Sequence, residues 1–148
     1  MRRREIGAGC GEGAVPHIIV EYSANLEPAV SPRRLVDALH RAALDTGVFP
    51  IGGLRTRAER RDVYAVADGD PDNGFVAVLA RIGEGRDAET RGRVARALMD
   101  VLEAETAEVF RGRGLGLTVE VQEIDGTGSL KTNNLHERMA RKDRGEAA

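Results

Sequence analysis

Pro16-His17-Ile18-Ile19-Val20-Glu21-Tyr22 opens the part of the chain that reads as structure, and the fold follows from what this stretch begins. The run is rich in β-branched and aromatic residues, the composition of a strand. A polar loop containing Asn25 and Pro28 comes next. Ser31 then stands where a helix needs an N-cap, with Pro32 at the favoured first helical position. Leu35, Val36, Leu39, Ala42 and Ala43 recur beyond it at helical spacing. Gly47 ends that helix. Pro50 and Gly52-Gly53 make a turn, Leu54 to Arg57 allow a short strand, and Val63-Tyr64-Ala65-Val66-Ala67 reads as another.

The second half repeats the pattern. Asp68 to Gly74 is dense in Asp, Asn, Pro and Gly, a turn signal. Phe75 to Ile82 is a near-continuous apolar run, as expected of a strand buried on both faces. Asp87 is placed to cap a long helix reaching to about Phe110, with Val94, Ala97, Leu98, Val101 and Leu102 on one side and Gly112 and Gly114 at its end. Leu115 to Ile124 alternates apolar and polar, so one face of that strand is buried. Strand, helix, strand thus occurs twice, over about 17–67 and 75–124. Helices that join strands favour parallel pairing. The expected fold is α+β: a double βαβ in one mixed or parallel sheet, with two helices on one face. The other face then requires cover from further subunits.

The flanks differ in character. Residues 1–15, with Gly7-Ala8-Gly9-Cys10-Gly11-Glu12-Gly13, show no apolar period and are expected to be a disordered leader or a mis-assigned translation start. The structured domain is expected over 16–138 and a flexible tail over 139–148. Val15 can be encoded GTG, a codon that bacteria also read as an initiating Met, and Glu12-Gly13 can be encoded GAGG, resembling a ribosome-binding site. Initiation there would give Met-Pro-His-Ile, and clipping the Met would leave Pro16 with a free amine.

Composition narrows the classes. Lys and Arg total 22 against 24 Asp and Glu, so the net charge of −2 gives no reason to expect a nucleic-acid binder. No apolar run approaches the roughly 18 residues that span a bilayer. The single Cys10 cannot form an internal disulfide, and a soluble cytoplasmic protein is expected. His17, His40 and His136 lack metal-ligand spacing, and Asp68, Asp70 and Asp72 lack the rest of a calcium loop, so they read as turn residues and no metal is expected.

Several blocks carry a family likeness. They are Pro16 to Leu26, Thr46-Gly47-Val48-Phe49-Pro50-Ile51-Gly52-Gly53-Leu54-Arg55-Thr56-Arg57, Ala67-Asp68-Gly69, Arg81-Ile82-Gly83-Glu84-Gly85-Arg86, and Lys131-Thr132-Asn133-Asn134-Leu135. In order and spacing, over nearly the whole of 16–138, the chain resembles the 5-carboxymethyl-2-hydroxymuconate delta-isomerases of the tautomerase superfamily, enzymes of homoprotocatechuate breakdown. The resemblance implies a tautomerase double βαβ, a homotrimer, and cofactor-free isomerisation of 5-carboxymethyl-2-hydroxymuconate to its conjugated keto isomer.

The resemblance also implies that Pro16 is the catalytic base. A proline nitrogen at a chain start is a secondary amine, and burial or nearby cations lower its pKa towards working pH. Inside a chain the same nitrogen is an amide with no basicity. The substrate carries two or three carboxylates, which suit the planar fork of arginine. Arg55 and Arg86 stand at family-matching positions, with Arg57 a near neighbour. Arg60, Arg61, Arg91, Arg93 and Arg96 read as solvated surface groups, and Lys131 to Asn134 as a segment packing against a neighbouring subunit. If a retained leader blocks Pro16, the alternative is a non-catalytic trimer that binds small carboxylates.

Overall fold

The computed structural model describes residues 15–145. The expected leader therefore lies outside the described residues except for Val15, as does the end of the expected tail, 146–148.

The chain forms strands β1 (His17–Ser23), β2 (Arg55–Arg61), β3 (Gly74–Gly83) and β4 (Leu115–Ile124). Helix α1 spans Pro32–Asp45 between β1 and β2; α2 (Ala88–Glu105) and α3 (Ala107–Gly112) lie between β3 and β4, and α4 (Leu135–Asp143) follows. The sheet order is β2-β1-β3-β4. β1 runs parallel to β2, β3 parallel to β4, and the two halves meet where β1 and β3 pair antiparallel. The architecture is the α+β double βαβ that the pattern predicts, with a mixed sheet.

Both long helices start as the sequence indicates. The Ser31 Oγ accepts from the Arg34 amide at 3.2 Å, and the Asp87 carboxylate accepts from the Thr90 amide at 2.8 Å. Gly47 takes a φ of +72°, the left-handed stop that a side chain would disfavour. Leu35, Leu39 and Ala43 of α1 and Val94, Leu98 and Leu102 of α2 are buried against Ile18, Val20 and Tyr22 of β1 and Val76, Val78 and Ala80 of β3. Fully burying each such aliphatic side chain stabilises by about 1.5–3 kcal/mol, so this single seam between helices and sheet holds the domain together.

Four expectations need correction. Val63 to Ala67 is not a strand. β1 ends at Ser23, paired with Arg61, so nothing remains for a longer β2 to pair with on that side. Val63 is instead 96% exposed, and Tyr64 turns inward to meet the Phe75 ring edge-on, centroids 6.0 Å apart. The second strand lies earlier and runs to Arg61, well beyond the short Leu54–Arg57 stretch. The long helix from Asp87 breaks at Thr106, whose buried hydroxyl donates to the Leu102 carbonyl at 2.7 Å. β3 is buried on one face only: Val76, Val78, Ala80 and Ile82 face the helices, whereas Phe75, Ala77 and Leu79 are half-buried and Arg81 is exposed. Residues 139–143, within the stretch expected as a tail, lie in α4, a helix with no buried residue.

Candidate active site

Strand polarity concentrates one set of chain segments at one end of the sheet. β1 and β2 start there, and β3, antiparallel to β1, finishes there. The connection from α1 to β2 and the segment leading to the α2 N-terminus close the same end.

Pro16 immediately precedes β1 and is buried. Its carbonyl accepts from the Arg55 amide at 3.3 Å, which begins the β1–β2 ladder. The turn before Arg55 lies against it. Gly53 and Leu54 both donate to the Pro50 carbonyl, and a Cβ on Gly53 would stand 3.4 Å from the Pro16 ring. On Gly52, a Cβ would fall 2.6 Å from three atoms of the His136 ring, so this glycine lets α4 sit down on the turn.

The arginines follow from register. Arg55 pairs with His17 on one side, and Arg81 faces His17 from β3 on the other. Arg57, two residues along β2, lies on the same sheet face. Among the described residues no helix covers that face. Arg55 donates to the Gly53 carbonyl at 2.9 Å, and Arg57 donates to His17 Nδ1 at 3.0 Å. Arg86 donates to the Val48 carbonyl at 3.3 Å, which draws it to the connection bearing the glycine turn. Among the described residues, none of Arg55, Arg57, Arg81 and Arg86 forms an ion pair with a carboxylate. His17 is held below its usual value, first by burial and then by Arg57, Arg55 and Arg81.

Pro16, Arg55 and Arg57 are thus grouped at one end, with Arg86 tethered to the loop that bounds it. Sequence reasoning missed Arg81 and His17 as members of this group. Both sit inside the family-like blocks, but only the antiparallel β1–β3 pairing sets them opposite each other. His40 bonds Thr56 through Nδ1 at 2.8 Å between α1 and β2, outside this group. Asp68 and Asp70 accept backbone amides of their own turn.

Residues 16–139 match the family described as 5-carboxymethyl-2-hydroxymuconate isomerase. The chain belongs to this family. It is therefore an isomerase of the tautomerase superfamily. The 5-carboxymethyl-2-hydroxymuconate Delta-isomerase of Escherichia coli is 32% identical over 122 residues, covering 82% of this chain and 97% of the relative. The crystal structure of a 5-carboxymethyl-2-hydroxymuconate isomerase from Deinococcus radiodurans R1 superposes with a TM-score of 0.80 at 37% identity, covering 86% of this chain and 96% of that one. A fused 4-OT symmetric trimer shares the fold, with a TM-score of 0.60 at 18% identity over 80% of this chain and 92% of that one. No helix among the described residues is long and apolar enough to cross a membrane.

Proposed function

We propose that this isomerase moves a proton along the dienol of 5-carboxymethyl-2-hydroxymuconate, giving the conjugated keto isomer in homoprotocatechuate catabolism, with Pro16 as base once it is N-terminal. The observation that carries the reading is the setting of Pro16: a buried proline beside a cluster of arginines that, among the described residues, form no ion pair with a carboxylate. A free Pro16 amine there is disfavoured as a cation by burial and by the neighbouring guanidinium groups, so it stays ready to accept a proton. One proton leaves the enol hydroxyl and one is returned to carbon at the far end of the conjugated system; composition is unchanged and no cofactor is needed. Arg55, Arg86 and Arg57 hold the carboxylates, and Arg55, nearest Pro16 in the ladder, also opposes the charge that develops on the dienolate.

The same reading makes the protein a cytoplasmic homotrimer. The sheet face opposite the helices carries Ile19, Phe75, Ala77 and Leu79 half-buried, and closed symmetric assembly would cover them.

The test pairs intact mass of the protein from its native host with rates for chains starting at Met1 and at Pro16, each sample sized by light scattering. General-base catalysis contributes about 100–10,000-fold, and a gain of that order is expected on freeing Pro16. Equal rates from both chains, with mass showing the longer one unprocessed, would remove the proline mechanism. A monomer at micromolar concentration would remove the trimer.

A further inference from the structure

We infer that His17 is a second substrate-contacting group, a neutral hydrogen-bond donor that offers Nε2–H to a ligand carboxylate gripped by Arg55, Arg57 and Arg81 at the Pro16 end of the sheet, at the rim of the apolar patch that assembly would cover. The inference rests on the carboxylate-binding reading above and adds two residues to it.

The tautomer follows from hydrogen-bond chemistry. A guanidinium group has only donors, so the 3.0 Å contact from Arg57 NH1 requires a lone pair on His17 Nδ1. The ring proton then resides on Nε2. An imidazolium would set an N–H of its own against the Arg57 N–H and add a fourth positive charge beside Arg55, Arg57 and Arg81. Burial and those same arginines oppose its protonation.

What the donor lacks is an acceptor. The Arg57 contact is the side-chain hydrogen bond His17 makes among the described residues, and it uses Nδ1, leaving Nε2–H unclaimed. On this face Glu21 and Glu59 are both turned to Arg61, at 3.1 and 2.5 Å, and Glu120, one row along β4 from Arg81, accepts from Gln122 at 3.4 Å; among the described residues none of the three pairs with His17 or its arginines. Arg55, Arg81 and His17 stand side by side across three strands, and Arg57 completes the group from the next position on its face. Such a group is all donor, and among the described residues no carboxylate pairs with its positive charge. The complementary ligand is all acceptor and anionic, and a planar carboxylate matches both the fork of arginine and the single N–H of the imidazole.

The experiment is nitrogen-15 NMR of histidine-labelled protein, titrated with trans,trans-muconate, a dicarboxylate, and with sorbate, the same diene with one carboxylate. In the free protein His17 should show an unprotonated Nδ1 and a protonated Nε2 at neutral pH. Muconate should shift the Nε2–H resonance at concentrations where sorbate leaves it in place. His17→Phe should weaken muconate binding and raise KM for the dienol polycarboxylate substrate about tenfold, the scale of one lost hydrogen bond to a charged group, with kcat within about twofold. His17→Gln, whose amide can donate from a similar position, should recover most of the loss, which a purely space-filling role would not produce. A proton on Nδ1 in the free protein, or unchanged muconate affinity in His17→Phe, overturns the inference. If the protein binds muconate through His17 but turns over no dienol, the proposed reaction fails and the inference stands. If it turns over dienol while His17 never responds, the reverse holds.

Discussion

Arg55 and Arg57 start β2, Arg60 and Arg61 end it, and the two pairs sit in opposite electrostatic surroundings. Arg60 binds Glu27 at 2.7 Å and Asp62 at 3.0 Å; Arg61 binds Glu21 and Glu59. Among the described residues, the side chains of Arg55 and Arg57 bond a backbone carbonyl and an imidazole nitrogen and no carboxylate. Both pairs lie on the same edge strand, where charge is expected because it discourages sheet-to-sheet association. Edge protection therefore explains why β2 is cationic, yet it does not explain why one end is neutralised and the other is not. The unpaired end is also the end that holds Pro16. Arginines already closed on carboxylates have little left for a ligand, whereas those at the start of β2 keep their donors available.

The strongest test of this contrast removes the unpaired arginines. Arg86→Ala and Arg55→Ala are each expected to lose about 1.5–3 kcal/mol, the worth of charge-assisted hydrogen bonds, in kcat/KM for the polycarboxylate substrate. Arg55→Ala should weigh more on kcat if it also opposes dienolate charge. An analogue with one carboxylate should lose far less; equal losses for both would take these residues out of carboxylate binding.

A smaller effect is expected at the other end of the strand. Arg60→Ala and Arg61→Ala break exposed ion pairs that solvent screens, so chemical denaturation should register little or no shift. Steady-state rates should not change. A fall in kcat/KM comparable to that of Arg55→Ala would mean that the two ends of β2 are not functionally distinct.

The same strand shows where the sequence was readable and where it was not. β1, α1 and β4 declare themselves because burial on one side imposes a period, and Ser31 and Asp87 mark helix starts through caps that the structure retains. β2 does not, because an edge strand with Arg at 55, 57, 60 and 61 has little apolar signal, while the apolar Val63-Tyr64-Ala65-Val66-Ala67 next to it mimics a strand without a partner to pair with. Thr106 gave no warning either: a single threonine in an apolar helix is unremarkable until its hydroxyl is seen bonding Leu102. The candidate site has the same limit. Pro16, Arg55, Arg57 and Arg86 could be named through the family likeness, but His17 and Arg81 become neighbours only through antiparallel pairing of distant segments, which local pattern does not encode. The seat of α4 on Gly52 is likewise a tertiary fit, since the helix buries no residue that would have announced it.

The smallest expected effect concerns stability against pH, and it probes the unpaired end without substrate. His17 has its folded-state pKa lowered from 6.5, chiefly by burial and then by Arg57, Arg55 and Arg81. The groups that act on it are arginines, which do not titrate near neutrality. Lowered folded-state affinity for a proton means that the unfolded chain binds more protons between the two pKa values, so stability rises with pH across that window. Its contribution is complete above about 6.5 and is lost as pH falls below that value, levelling off once the folded-state pKa is passed. Asp37 and Asp87 are also lowered, from 3.8, by the Arg33 side chain and by Thr90 respectively; their contributions are present at neutral pH and disappear only in a much more acid range. The two windows do not overlap, so denaturation measured from pH 7.5 down to 5 isolates histidine effects. The difference between wild type and His17→Gln across that range should show wild type losing more stability on acidification. Arg57→Gln should lessen the difference by removing one opposing charge. A pH slope identical in wild type and His17→Gln would show that the arginines at the start of β2 exert no net field on their neighbour, and the contrast between the two ends of the strand would then have no electrostatic content.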